Sequence, residues 1–309
     1  MMADAKAGEY QSPSNTAHRK PLDNSPGAFR IGALRDPMQK QYLKSIFYGA
    51  PGTGKTTLTG SAVDVPELQD VLMITAEGGV MVLDNNPRIQ NSDLIDMVPV
   101  QRIEQLNKLY EFLKYHCQFR DAGNEAEMEK LQRMVFGIPD DQPVDRIRHY
   151  RTVIIDSLTE IEAQNLNKVL DMDSAGLDAA DELPVAGFAE FRKNNNAIQR
   201  IVRTFRDLPL HVLIICAQQY NQDELKRYHY QPALTGKLST QIQGFVDIVG
   251  WMVVGTNESG QEVRRLVVQP HTAPKADAKN RFASYKSNYF EDPTMASIMR
   301  ATGFLGKKA

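Results

Sequence analysis

Residues 48–60 read YGAPGTGKTTLTG, and the run GAPGTGKT from Gly49 to Thr56 fits in full an eight-position pattern for a loop that wraps phosphate. Gly49, Gly52 and Gly54 let the backbone curl so that successive N–H groups point at anionic oxygens. Ala50, Pro51 and Thr53 complete the loop, and Thr57 follows it into a helix whose N-terminus favours negative charge. Lys55 is placed to reach the β- and γ-phosphates, and the Thr56 hydroxyl to bind Mg²⁺. A nucleoside triphosphate, ATP, with Mg²⁺ is the expected ligand pair.

The flanking pattern supports this. YLKSIFYG leads into the loop as a strand, and DVLMITAEGG, RTVIIDS and HVLIICAQQ are further apolar runs closed by polar or glycine residues. Between them lie helical stretches, one with Ile103, Leu106, Leu109, Leu113 and Cys117 on a single face, another with Phe191, Ile198, Ile201, Val202 and Phe205. Apolar strands alternating with helices predict an α/β fold, a mostly parallel sheet covered on both faces. DIVGWMVVG and EVRRLVVQP around TNESG predict a C-terminal antiparallel hairpin. The expected organisation is a flexible arm over 1–28, a nucleotide-binding core over 29–292, and a C-terminal helix and tail over 293–309.

Ligands in such sheets sit at the carboxyl ends of the strands, so residues just after each apolar run carry the chemistry. VIID ends in Asp156, a carboxylate to hold the Mg²⁺ shell through water. Hydrolysis needs a group to orient and deprotonate water. Ser157 follows Asp156, where many AAA-type ATPases have Glu, so Glu77, ending LMITAEGG, is read as the base, with Glu160 in reserve. Gln218 at the end of LIICAQQ is read as a reporter of the γ-phosphate, with Gln219 able to exchange roles with it.

The order P-loop, Glu, Asp, Gln resembles the RecA-like family, which includes RecA, RadA and DnaB-type motors. AKNRFAS adds Lys279 and Arg281, similar to the lysine–x–arginine element of RadA and DnaB-type ATPases, with Ala283 where RadA has glycine. The resemblance implies that these two cations reach a neighbouring protomer's ATP, where an arginine supplied in trans stabilises transferring charge. DSLTE, LPLHV and KNR further resemble the compact, core-only RecA-like ATPases of bacteriophages. That likeness implies a homo-oligomer, filament or ring, acting on single-stranded DNA in annealing or recombination in a bacterial host's cytoplasm, with a single-strand binding protein among its partners. The alternatives are a ring-forming helicase or translocase, and a nucleotide-dependent scaffold for a protein partner.

Candidate DNA contacts lie in the loop read at 219–244, where Lys226, Arg227 and Lys237 accompany Tyr228 and Tyr230; cations track a backbone and tyrosines stack on bases. The loop at 171–184 holds five acids and no base and is read as repelling DNA. The net basic stretch 262–286 is read as lining a channel or groove, and the basic side of the helix at 188–206 as a solvated face or protomer contact. A net charge of -2 over 309 residues excludes a global field for nucleic acid or anionic lipid. Two distant cysteines, Cys117 and Cys216, fit a reducing compartment and give no zinc spacing. No apolar run reads as a secretory signal or a membrane span.

Overall fold

The computed structural model describes residues 42–84, 86–172, 184–222, 226–272 and 275–305. The arm expected at 1–28, residues 173–183 of the acidic loop, Asp223 and Glu224, and the last four residues lie outside the described residues.

The chain enters at β1 (Lys44–Gly49), buried at every position, and turns through the phosphate loop into α1 (Lys55–Gly60). β2 (Val71–Thr75), β3 (Ile95–Pro99), α2 (Ile103–Asp121) and α3 (Glu125–Phe136) follow, then β4 (Thr152–Asp156), α4 (Leu158–Val169) and α5 (Phe188–Arg206). Next come β5 (His211–Gln222), β6 (Tyr228–Pro232), α6 (Leu238–Gln243), β7 (Ile248–Thr256) and β8 (Glu262–Val267). The short strands β9 (His271–Thr272), β10 (Lys275–Ala276), β11 (Lys279–Asn280) and β12 (Tyr289–Glu291) precede α7 (Met295–Thr302).

The main sheet runs β12-β8-β7-β1-β5-β4-β2-β3. From β7 to β3 every pairing is parallel, while β8 and β12 add an antiparallel edge. One face packs under α2, α4, α5 and α6 through Leu106, Leu113, Ile161, Ile198, Val202 and Leu238. The other packs under α1 and α7 through Leu58, Ala62, Met295, Ile298 and Met299. This is the expected α/β architecture, mostly parallel, covered on both faces, with the antiparallel hairpin at β7–β8.

Three details differ from expectation. IDMVP, which carries no unbroken apolar run, forms the edge strand β3 because β2 offers it a parallel partner. The region 219–244, read as a loop, contains the end of β5, strand β6 and helix α6. Finally, α7 is part of the core rather than an appendage: Met295 and Ile298 are fully buried, and the Met295 N–H donates to Ser61 Oγ at 2.9 Å. Among the described residues no helix is long and apolar enough to cross a membrane.

Candidate nucleotide site

The sheet order decides what meets at the phosphate loop. Gly49, the last residue of β1, lies opposite Ala217 of β5 and Met252 of β7. A side chain at Gly49 would run into the Met252 carbonyl, so glycine there is a packing requirement. On the far side of β5, β4 and β2 lie side by side, with Thr75 opposite Asp156 and the Ala76 N–H donating to the Asp156 carbonyl at 2.8 Å. Glu77 and Asp156, 79 residues apart in the chain by subtraction, therefore leave the sheet together.

Lys55 Nζ donates to the carbonyls of Gly49 and Ala50, each at 2.9 Å, which holds the ammonium within the loop. Burial lowers its pKa, and the carboxylates of Asp156 and Glu77 oppose that shift. Thr56 Oγ1 donates to Asp156 Oδ2 at 2.8 Å. Burial raises the Asp156 pKa, with Glu77 adding to the rise and the Thr56 hydrogen bond and Lys55 opposing it. A hydroxyl and a carboxylate held this close fit Mg²⁺, which takes hard oxygen donors and needs few from the protein because it keeps several waters. Among the described residues no cluster of three or more His, Cys, Asp or Glu offers a site for a more fully protein-ligated metal.

Ser157 carries a role that sequence reading missed. Its hydroxyl donates to Glu77 Oε1 and also accepts from the Glu160 N–H at 3.3 Å, capping α4. Glu77 is solvent-exposed, yet this bond pins its carboxylate next to the position after Asp156. A carboxylate from just beyond the end of β2 thus lies against the residue that follows Asp156. Glu160 lies in the first turn of α4.

Gln218 shares a sheet face with Cys216 and Val212, on the side away from α1. Its Oε1 accepts from Trp251 Nε1 at 3.1 Å, while Gln219 Nε2 is committed to the carbonyls of Pro232 and Leu234 at 3.2 and 3.0 Å. Trp251 stacks on Tyr230 at 5.1 Å between centroids, and Tyr230, Tyr228 and Tyr220 form a cluster with spacings of 5.2 to 6.3 Å. Tyr220 and Tyr228 are exposed, as are Lys226 and Arg227. The β5–β6 hairpin that carries them projects beyond Ala217, and so beyond the level of the phosphate loop, by about 17 Å. Lys237 lies apart, exposed at the start of α6.

Lys279 and Arg281 are not at the phosphate loop of their own chain. Asn280 pairs with Ile248, which lies opposite Ser45 near the start of β1. Lys279 Nζ donates to the carbonyls of Gln243 and Val246, both at 2.7 Å, and Arg281 pairs with Asp247 at 3.3 Å and donates to the Gly244 carbonyl at 2.9 Å. Burial and the adjacent Arg281 lower the Lys279 pKa.

A cavity of about 440 Å³ extends from the loop along α1, lined by Gly54, Lys55, Thr56 and Thr57 and then by Val82, Pro87, Arg88, Pro293 and Thr294. That is within the range of small-ligand sites. Arg88 of this lining pairs with Asp292 at 3.7 Å. Arg264, which the sequence placed with a channel-lining stretch, enters this cavity beside Gly54.

A family model described as an AAA domain matches residues 41–282. The chain belongs to this AAA domain family. It is accordingly an AAA-type P-loop ATPase domain, and nucleotide binding follows from the family. Among solved structures, the flagellar accessory protein FlaH from Methanocaldococcus jannaschii is similar over 81% of this chain and 84% of that one, at 12% identity and a TM-score of 0.41. No curated protein matches the chain. In this AAA domain Ser157, the residue after Asp156, is hydrogen-bonded to Glu77.

Proposed function

We propose that this AAA domain is an Mg²⁺-dependent ATP hydrolase of RecA-like organisation that binds single-stranded DNA and promotes annealing or recombination as an oligomer. The observation that carries the hydrolytic reading is the Ser157–Glu77 bond, which sets a solvent-facing carboxylate beside Asp156 and Lys55. Backbone N–H groups of the loop and Lys55 hold the phosphate chain and oppose its charge. Thr56 and Asp156 hold Mg²⁺, which when bound neutralises charge on the β- and γ-phosphate oxygens. Glu77 accepts a proton from the attacking water, and Ser157 keeps its carboxylate in position. Lys279 and Arg281 exchange their own carbonyl and Asp247 partners for the phosphates of a neighbouring protomer.

The tyrosine cluster supports the DNA part of the reading. Exposed rings on a projecting hairpin, flanked by Lys226 and Arg227, suit stacked bases and a tracked backbone. The deciding experiment is ATP turnover with Mg²⁺, with and without single-stranded DNA, at low and moderate salt. Stimulation that fades with salt is expected, and replacement of Tyr228 and Tyr230 by Ala should remove it. Turnover indifferent to DNA, with no binding at low salt, would leave an ATPase acting on a protein partner.

A further inference from the structure

The structure assigns Arg264 a role in binding: its guanidinium is a second cation for the phosphate chain of the nucleotide, supplied from the same protomer as the loop. This rests on the nucleotide site proposed above. Arg264 sits on β8, opposite Val254 of β7, and β7 is the strand beside β1. Its side chain crosses the phosphate loop at Gly54, where Cδ and Nε would each lie 3.1 Å from a Cβ at that position. Gly54 has φ +94° and immediately precedes α1 as its N-cap residue, so its bare Cα serves both the backbone turn and the passage of this arginine.

The backbone of Arg264 is fixed at both polar groups. Its N–H donates to Asp292 Oδ1 at 3.3 Å, and its carbonyl accepts from the Asp292 N–H at 2.7 Å. Its guanidinium, half-buried, has no hydrogen-bond or ion-pair partner among the described residues. The neighbouring arginines show what partnering looks like here. Arg88, on the same cavity, pairs with Asp292, and Arg265 donates to the Thr256 carbonyl and packs over the Tyr289 ring. A half-buried cation left without a partner is costly unless an anion completes it. Guanidinium donors match phosphate oxygens in a two-pronged geometry. Position selects which phosphates: Gly54 and Lys55 lie at the turn into α1, where the backbone N–H groups of such a loop would hold the α- and β-phosphates. Arg264 therefore reads the diphosphate common to ADP and ATP. This separates it from Arg281, which cannot reach the loop of its own chain.

The test is calorimetric titration of the full chain with Mg²⁺–ADP and, separately, AMP, for the unaltered protein, R264A, R264Q, R265A and K55A, with a thermal melt of each. The expected result is that R264A and R264Q weaken ADP binding by about tenfold or more, the worth of a charge-assisted hydrogen bond. They should weaken AMP binding less, at unchanged melting temperature, while R265A binds ADP normally. ADP binding that is unaltered in R264A and R264Q but lost in K55A would overturn the role of Arg264 and leave the nucleotide site standing. Absence of ADP binding to the unaltered protein would overturn both.

Discussion

The two ends of strand β1 treat their cations in opposite ways. At the start, Lys44 is buried and donates to the carbonyls of Leu208 and Leu210, Lys279 is held by two carbonyls, and Arg281 by Asp247 and Gly244. At the finish, Lys55 leans on the carbonyls of its own loop, and Arg264 crosses that loop with its guanidinium unpaired among the described residues. Each of the three cations at the start has partners within the chain, as Lys55 also does at the finish. Arg264, the cation proposed for the phosphate chain, differs from the other four in being fixed by its backbone with its guanidinium donors left over.

Lys55→Ala should produce the largest effect, reducing ATP turnover to background together with nucleotide binding, as read by calorimetry and phosphate release. Arg281→Ala breaks the comparison most informatively. If Arg281 leaves its own chain to serve a neighbour's phosphate, turnover should fall by about 10³-fold or more with ATP affinity of isolated protomers unchanged. A fall in melting temperature with normal turnover per folded protein would make Arg281 structural, like Lys44. Glu77→Gln should retain ATP binding and lose turnover by about 10² to 10⁴-fold, and wild-type turnover in that variant would remove Glu77 as the base.

The smallest effect sharpens the structural end. His211 Nδ1 accepts from the Leu43 N–H at 3.0 Å, and burial, with Lys44, Arg120 and Arg151 nearby, pushes its pKa down to about 3. The folded state thus holds a neutral ring that the unfolded chain protonates below about 6.5. The stability from this site is complete above that value and is lost as pH falls toward 3. Between pH 7 and pH 5 this site should cost about 2 kcal/mol in urea melts, and His211→Gln should remove that share, leaving the share of His116, whose pKa burial pushes down to about 4.

How much of this was legible in the sequence depends on how local each signal is. The phosphate loop, Asp156 and Glu77 follow directly from apolar runs and the residues that end them, and strands β1, β2, β4 and β5 stand where those runs predict. The TNESG hairpin was equally local. Strand β3 was not, because its half-exposed side chains leave no pattern and its partner supplies the reason for it. Strand β6 was hidden by polar neighbours that made 219–244 look like one loop. Arg264 lies 210 residues beyond Gly54 by subtraction, and no spacing joins them. Only the order β8-β7-β1 brings that arginine across the loop. Ser157 was legible as a missing glutamate, while its bond to Glu77 needed β2 and β4 to be neighbours.

Trp251 is the only tryptophan in the chain. Its indole N–H is bonded to Gln218 at the end of β5, and its ring lies against Tyr230, the inner member of the tyrosine cluster. The protein therefore carries one indole, which can be excited apart from its 11 tyrosines, at the junction between its two candidate binding regions. Emission from that single indole can follow events at either region in real time, without dye, label or engineered probe.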